Sequence, residues 1–449
     1  MRIPVLLIVP QHKSLQMSAT TAATKTAAGL DTTQTPSYPG VTLDATFAAV
    51  PLGARDDASV LTMESFQPER SAYFAVRGHV EANDVTEVSQ RAGDAEIFAD
   101  PRIASFITCG GTPPLGNAAA VAAKLNVPML QGKNLDGRKV ALAIVDTGIN
   151  LPYLTTKLGR QPNLDARASW SPPGTPPPPP GGWPVNHGTM CAFDTQIAAP
   201  QAALVDFPVL NAHYPGSGSY MSGTLSAALA AYGFMLSSRA SGPLSRYQAL
   251  VASNSWGIFH PSWDFPAGHP GRYCDNPRHP FNLQIAAVTR AGIDVLFAAG
   301  NCGAPCADTR CLGRTTGAIM GASAVQEVLT LAGCDTQDVR VGYSSQGPSI
   351  PKMYQQKPDV TSYTHFLGSE AFGAGTPDSG TSAACPVAAG CVAALRSSPK
   401  IPPATLTTAS LFNNIRNNAR KTAGLPTGWD RDYGFGIIDP PAIVAALGL

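Results

Sequence analysis

Charge is what this chain has least of. Only 14% of its 449 residues are Asp, Glu, Lys or Arg, and 31 basic side chains almost cancel 30 acidic ones. No field of either sign is left to draw in nucleic acid or an anionic membrane, and neither is expected as a partner. Long apolar runs are missing too: no stretch of about 18 residues would span a bilayer, so no transmembrane helix is expected. The start, "MRIPVLLIVPQHKSLQ", lacks the marks of a signal peptide. Its apolar run is short, Pro4 and Pro10 bracket it, and no A-x-A site follows. It reads better as a first β-strand, which leaves localisation open with a lean towards the cell interior. Hydrophobic residues make up 44%, enough for a large core.

Cysteines number nine, at 109, 191, 274, 302, 306, 311, 334, 385 and 391. An odd count excludes complete pairing within one chain. Cys302, Cys306 and Cys311 cluster, and Cys274 would join them in space. The group fits either loop-stapling disulfides or the thiolate ligands of a structural zinc, although C-x3-C-x4-C is a weak zinc spacing.

The 43 glycines and 41 prolines mark the joints. Residues 1–108 read as a small α+β module. "YFAVRGHV" is a strand, a helix follows from Asp84 with its Glu87 partner and its Val85 and Val88 face, and "AEIFADP" is a second strand, in a βαβ-like order. Residues 17–38 and 53–60 read as Ser/Thr-rich loops. Residues 109–135 read as a linker and lead-in helix, the helix at 117–125, and 136–449 as the main domain. There strands at 139–146, 202–207, 248–254, 293–299 and 328–332 alternate with helices at 188–198, 222–239, 280–291 and 382–396. That alternation predicts an α/β fold, a doubly wound and mostly parallel sheet flanked by helices. Its ligands bind beyond the carboxyl ends of the strands.

Unusual chemistry falls at those ends. "VALAIVDTG" ends a buried strand on Asp146, an acid that is costly there unless paired. "NHGTMCAFDT" puts His187 at a helix start, "VLFAAGNCG" presents Asn301, and "SGTSAACPVAAG" sets Ser382 where a first helical turn favours negative charge. Singly these are a cap, a loop imidazole, a turn residue and another cap. Together they supply what acyl transfer by a serine requires: a nucleophile, a base, an acid to orient the base, and an oxyanion donor.

"IVDTG", "NHGT" and "SGTSAACP" resemble the three catalytic motifs of the subtilisin-like serine proteases (peptidase S8), and "AAGN" resembles their oxyanion-hole segment. The resemblance spans residues 120–447 and includes "SNSWG", "VGYSSQGP", "KPDV" and "YGFGIID". It implies an endopeptidase acting on polypeptides, with Asp146 orienting, His187 as base, Ser382 as nucleophile and Asn301 donating to the oxyanion. It implies that Ser255, Trp256 and Gly257 pair with extended substrate, and that Trp256, Gly257, Ala298 and Gly300 line the primary pocket. No cofactor is required for the chemistry; the family often binds structural calcium, for which no Asp-rich loop stands out, and structural zinc rests on the cysteine cluster. The N-terminal module is similar to the family's prodomains, which implies docking on or inhibiting the catalytic domain and self-cleavage within 106–135.

The chain also departs from the family pattern. Met190 and Phe193 replace the small residues usual after the base. A Pro-rich loop, "SPPGTPPPPPGGWP" at 171–184, precedes His187 and is expected to lie at the cleft edge as a polyproline II segment. Two rivals keep a place: a ligase or cyclase handing the same acyl group to an amine, and a non-catalytic peptide-binding module.

Overall fold

Seven residues, Val140–Asp146, are buried without alternation, the pattern of a strand covered on both faces. In the computed structural model of the protein this strand lies inside a six-stranded parallel sheet. The structure describes residues 2–23, 29–53, 68–69, 71–105, 112–172, 178–211 and 222–449.

The N-terminal module comprises β1 (Arg2–Pro10), α1 (Lys13–Ala23), β2 (Thr42–Leu43), β3 (Val50–Gly53), β4 (Tyr73–Glu81), α2 (Val85–Arg91), β5 (Glu96–Ala99) and β6 (Arg102–Ser105). The first apolar run is indeed a strand, and a central one: β1 pairs antiparallel with both β4 and β5. The βαβ order holds in split form: β4 and β5, joined through α2, run parallel to one another with β1 antiparallel between them. Along β1 the side chains alternate. Val5, Leu7 and Val9 pack with Leu15 of α1 and with Val85 and Val88 of α2, while Leu6 and Ile8 face the main domain. Part of the stretch expected as a 17–38 loop is helix α1; the 53–60 loop lies, after Gly53, outside the described residues.

The main domain follows: α3 (Ala118–Lys124), α4 (Val127–Gly132), β7 (Val140–Asp146), α5 (Leu151–Leu158), α6 (His187–Ala198), β8 (Ala203–Pro208), β9 (Ser222–Thr224), α7 (Leu225–Ser241), β10 (Ala249–Asn254), β11 (Trp256–Gly257), α8 (Pro280–Arg290), β12 (Ile293–Ala298), β13 (Leu329–Cys334), β14 (Val360–Tyr363), α9 (Thr381–Arg396), α10 (Thr408–Asn417) and α11 (Pro440–Leu447). The sheet order is β14-β13-β12-β10-β7-β8, all parallel. Helices α6 and α9 cover one face, with α7 and α8 on the other. Sequence order reverses between β7 and β10, so a crevice opens where Asp146 ends one strand and Ser255 follows the other.

Helix α9 is buried along all sixteen residues. A Cβ on Gly390 would stand 2.4 Å from the carbonyl oxygen of Thr195, so glycine is what lets α9 approach α6. At its far end Arg396 forms a bidentate pair with Asp294 (2.7 and 2.9 Å), both fully buried, and further N–H groups reach the carbonyls of Ile401 and Leu406. Every polar partner is met, as a buried charge requires.

The module's sheet lies on α7 and α8. Leu6, Ile8, Phe47, Val50, Ala75 and Phe98 share one apolar cluster with Tyr232, Met235 and Phe281. The buried His279 ring donates from Nε2 to the carbonyl of Ala99 (2.9 Å), and burial pushes its pKa down to about 3, keeping it neutral. Asp100 accepts the N–H and hydroxyl of Ser226, both at 2.8 Å, in the first turn of α7. Beyond Asp100, β6 runs between β9 and β11 and pairs antiparallel with each. The helix expected at 222–239 therefore begins three residues late, because 222–224 is spent on this third sheet.

Candidate active site

Asp146 closes β7 and is 1% exposed. Its carboxylate meets Nδ1 of His187 at 2.8 and 3.0 Å and also accepts the N–H of Thr147 at 2.8 Å. His187 is the first residue of α6, and Asn186 caps that helix by accepting the His187 N–H. With Nδ1–H committed to Asp146, Nε2 is left as the basic nitrogen. It is buried and, among the described residues, has no hydrogen-bond partner.

Ser382 is the second residue of α9, behind Gly380 at φ +81°. Its hydroxyl lies 3.3 Å from the carbonyl of Ser255, and the Ser255 hydroxyl donates back to the Ser382 carbonyl at 2.9 Å. Pro386 explains the second bond. It is the sixth residue of α9, past the first turn, and it lacks the N–H that would have taken the Ser382 carbonyl four residues back. Ser255 fills that role, helped by Cys191 Sγ at 3.6 Å. A helix defect thus becomes a tie between the nucleophile position and the substrate-pairing segment.

Asn301 leaves β12 through Gly300, at φ +102°. Its Oδ1 accepts both the N–H of Thr381 (2.9 Å) and the Thr381 hydroxyl (3.1 Å). A backbone N–H can only donate, so this fixes the amide flip and commits the NH2 group to act as donor. In sequence Thr381 and Gly380 read as the sharp entry to the helix; the grip of Thr381 on Asn301 carries no signal there.

The four residues singled out for chemistry thus converge. Of those expected to bind substrate, only some lie at this crevice. Ser255 and Gly257 border the groove, and Gly257 pairs with Ala104 of β6. Trp256 is a correction: its indole turns into the core between Phe281 and Phe297 and donates to the carbonyl of Val145 at 2.8 Å, so it offers only its backbone. Ala298 is likewise buried in the core at the end of β12.

Of the two readings of the cysteine cluster the disulfide one holds: Cys302 and Cys311 form a disulfide directly behind Asn301, and Cys306 is disulfide-bonded too, while Cys274 does not join them and is a free, buried thiol. Cys191 lies 3.8 Å from both Asp146 and His187, but burial holds its thiol protonated, which suits a packing role. Of the Pro-rich loop, residues 173–177 lie outside the described residues. Its end is anchored: Trp183 is buried against Gly148, and its N–H bonds the Ile149 carbonyl at 3.1 Å.

A second acidic pair lies beneath the site. Asp194 on α6 and Asp378, four residues before Ser382, face one another in the interior. Burial pushes Asp378 up to about 6 and Asp194 well above its usual range, the nearby Asp378 carboxylate raising Asp194 further. Asp378 also accepts the N–H and hydroxyl of Ser369. Neither acid carried a signal in sequence.

A parallel sheet wound on both faces, with an acid–imidazole pair, a helix-start serine and an oriented amide at its switch point, is the architecture of subtilisin-like peptidases. The sequence model of the Subtilase family matches residues 137–436, and the chain belongs to that family of serine peptidases. No curated protein matches the chain. Among solved structures it is similar to one titled "Crystal Structure of a Lanthipeptide Protease", at 18% identity and a TM-score of 0.48, over 74% of this chain and 94% of that one.

Proposed function

We propose that the protein is a serine endopeptidase produced as a zymogen. Ser382 attacks the peptide carbonyl, His187 Nε2 takes its proton and passes it to the leaving amine, and Asp146 holds the imidazole and stabilises its charged form. The Asn301 amide and the first-turn N–H groups of α9 receive the developing oxyanion. The resulting acyl-enzyme is hydrolysed by the same groups in reverse.

One observation carries this reading. Between β9 and β11 lies an extended polypeptide strand, β6, paired on both edges and directed at the serine. Ser105 pairs with Trp256, and the following residues, Phe106 and Ile107, lie outside the described residues. Counting one position on along the sequence from that last pair, we place self-cleavage between Phe106 and Ile107. The N-terminal module then occupies the acyl side of the cleft as product and inhibitor until it is lost.

Intact-mass measurement of the purified chain and its Ser382→Ala variant, with and without a fluorophosphonate, tests this. The expected result is one adduct on a wild-type chain beginning at Ile107, and an unlabelled, full-length variant. A wild-type chain that stays full length and unlabelled would overturn the reading.

A further inference from the structure

The strand β6 marks the acyl side of the cleft; the side that would hold the departing half of a substrate is marked by what the chain does next. From Thr112 the backbone runs along His365–Leu367: Thr112 Oγ1 meets His365 Nε2 at 2.9 Å, Leu115 donates to the His365 carbonyl, and Leu367 and Ala118 close a parallel bridge around Asn117. Residues 106–111 lie outside the described residues; after them the chain is bonded to the root of one hairpin, closed where Phe366 pairs with Asp378. This hairpin has a rigid stem. Asp378 holds Ser369, Tyr153 donates to the carbonyls of Ser369 and Glu370 (2.9 and 2.8 Å), Lys157 pairs with Glu370, and Gly375 donates to the Glu370 carboxylate at 2.7 Å.

At the tip of this braced loop stands Phe372. It is 45% exposed, and its ring centroid is 6.4 Å from that of His187. Two more of the large exposed apolar side chains among the described residues flank the same region: Val185, two residues before His187, and Leu115, bonded to the hairpin root. An apolar surface of this kind beside the base, held so firmly yet left uncovered, fits a binding role better than a core role.

We propose that Phe372 is a specificity-determining residue on the leaving-group side, selecting substrates whose first residue after the scissile bond is large and apolar. The inference rests on the peptidase reading above. The chain's own sequence agrees with it, for the residue following Phe106 is Ile107.

Partitioning of the acyl-enzyme isolates this side of the cleft. The self-processed enzyme is acylated with a peptide methyl ester, and leucinamide or glycinamide competes with water. The amine nitrogen attacks the Ser382 ester carbonyl, the C–N bond forms as the C–Oγ bond breaks, and the amine proton returns to Oγ through His187. The yield ratio of the two amides is internal to one acyl-enzyme, so changes in acylation rate cancel. Wild type is expected to favour leucinamide by about tenfold or more, Phe372→Ala to bring the ratio close to one, and Phe372→Leu to keep most of it. A ratio unmoved by Phe372→Ala, or one that collapses as far in Phe372→Leu, overturns the proposal. A wild-type enzyme that the ester does not acylate and a fluorophosphonate does not label fails the peptidase reading itself.

Discussion

Thr381 grips Asn301 twice, by its N–H at 2.9 Å and its hydroxyl at 3.1 Å, and so decides which end of the amide faces the cleft. The residue before the nucleophile therefore orients the oxyanion donor, although 80 positions separate the pair. Removing a donor of this kind cost about 10²–10³ in turnover in a subtilisin. Asn301→Ala is expected to lose kcat on that scale with KM little changed and the fold kept, at a melting temperature lowered by the loss of the two Thr381 bonds. Near-normal turnover would remove Asn301 from the mechanism.

The disulfide behind Asn301 closes a loop over a sequence separation of 9. Chain-entropy reasoning assigns such a loop about 2–3 kcal/mol. Replacing Cys302 and Cys311 by Ser together is expected to lower unfolding free energy by about that amount and to depress kcat more than KM, since the loop carries the donor. Urea unfolding and steady-state kinetics on the same preparation check both halves.

The Asp194–Asp378 pair predicts a pH trend. Both carboxyls have folded pKa values raised above the usual ~3.9 of an unfolded Asp, Asp378 to about 6. The folded state thus holds protons that the unfolded state gives up. The pair's stabilisation is fully present below pH ~4 and is lost as pH rises through about 6. In Asp194→Asn a neutral amide replaces one titrating carboxyl, and the fall in unfolding free energy between pH 5 and pH 8 is expected to be shallower than in wild type. Parallel curves would show that the pair does not set the trend.

Asp100 ties the N-terminal module to the start of α7 through two charge-assisted bonds to Ser226. Hydrogen bonds to a charged group contribute about 1.5–3 kcal/mol. Asp100→Ala is expected to shorten the lag between the first cut and full activity by about tenfold or more, followed on a gel and with a chromogenic peptide. An unchanged lag would mean that the apolar face, the β6 pairings and the His279 bond hold the module without help from Asp100.

The parallel sheet was legible because its strands are uninterrupted apolar runs, and the site because Asp146, His187, Asn301 and Ser382 each sit where such a run meets a turn. What escaped was whatever depends on partners distant in sequence. Ser222–Thr224 reads as the opening of a helix, yet β6, more than a hundred residues upstream, draws it into a sheet. Trp256 reads as a pocket wall, yet Phe281 and Phe297 claim its ring. Pro386 reads as a harmless early proline, and its missing N–H acquires meaning only once Ser255 is found opposite. Asp194 and Asp378 are unremarkable until the packing of α6 brings them together.

Helix α9 has no solvent-facing side, and the Arg396–Asp294 pair locks its far end. The serine therefore rides on an element that cannot fray or loosen by itself; it moves only when the surrounding sheet and helices come apart. Heat inactivation and global unfolding should thus be a single event with one rate, and the enzyme's working life should be set by the height of its unfolding barrier.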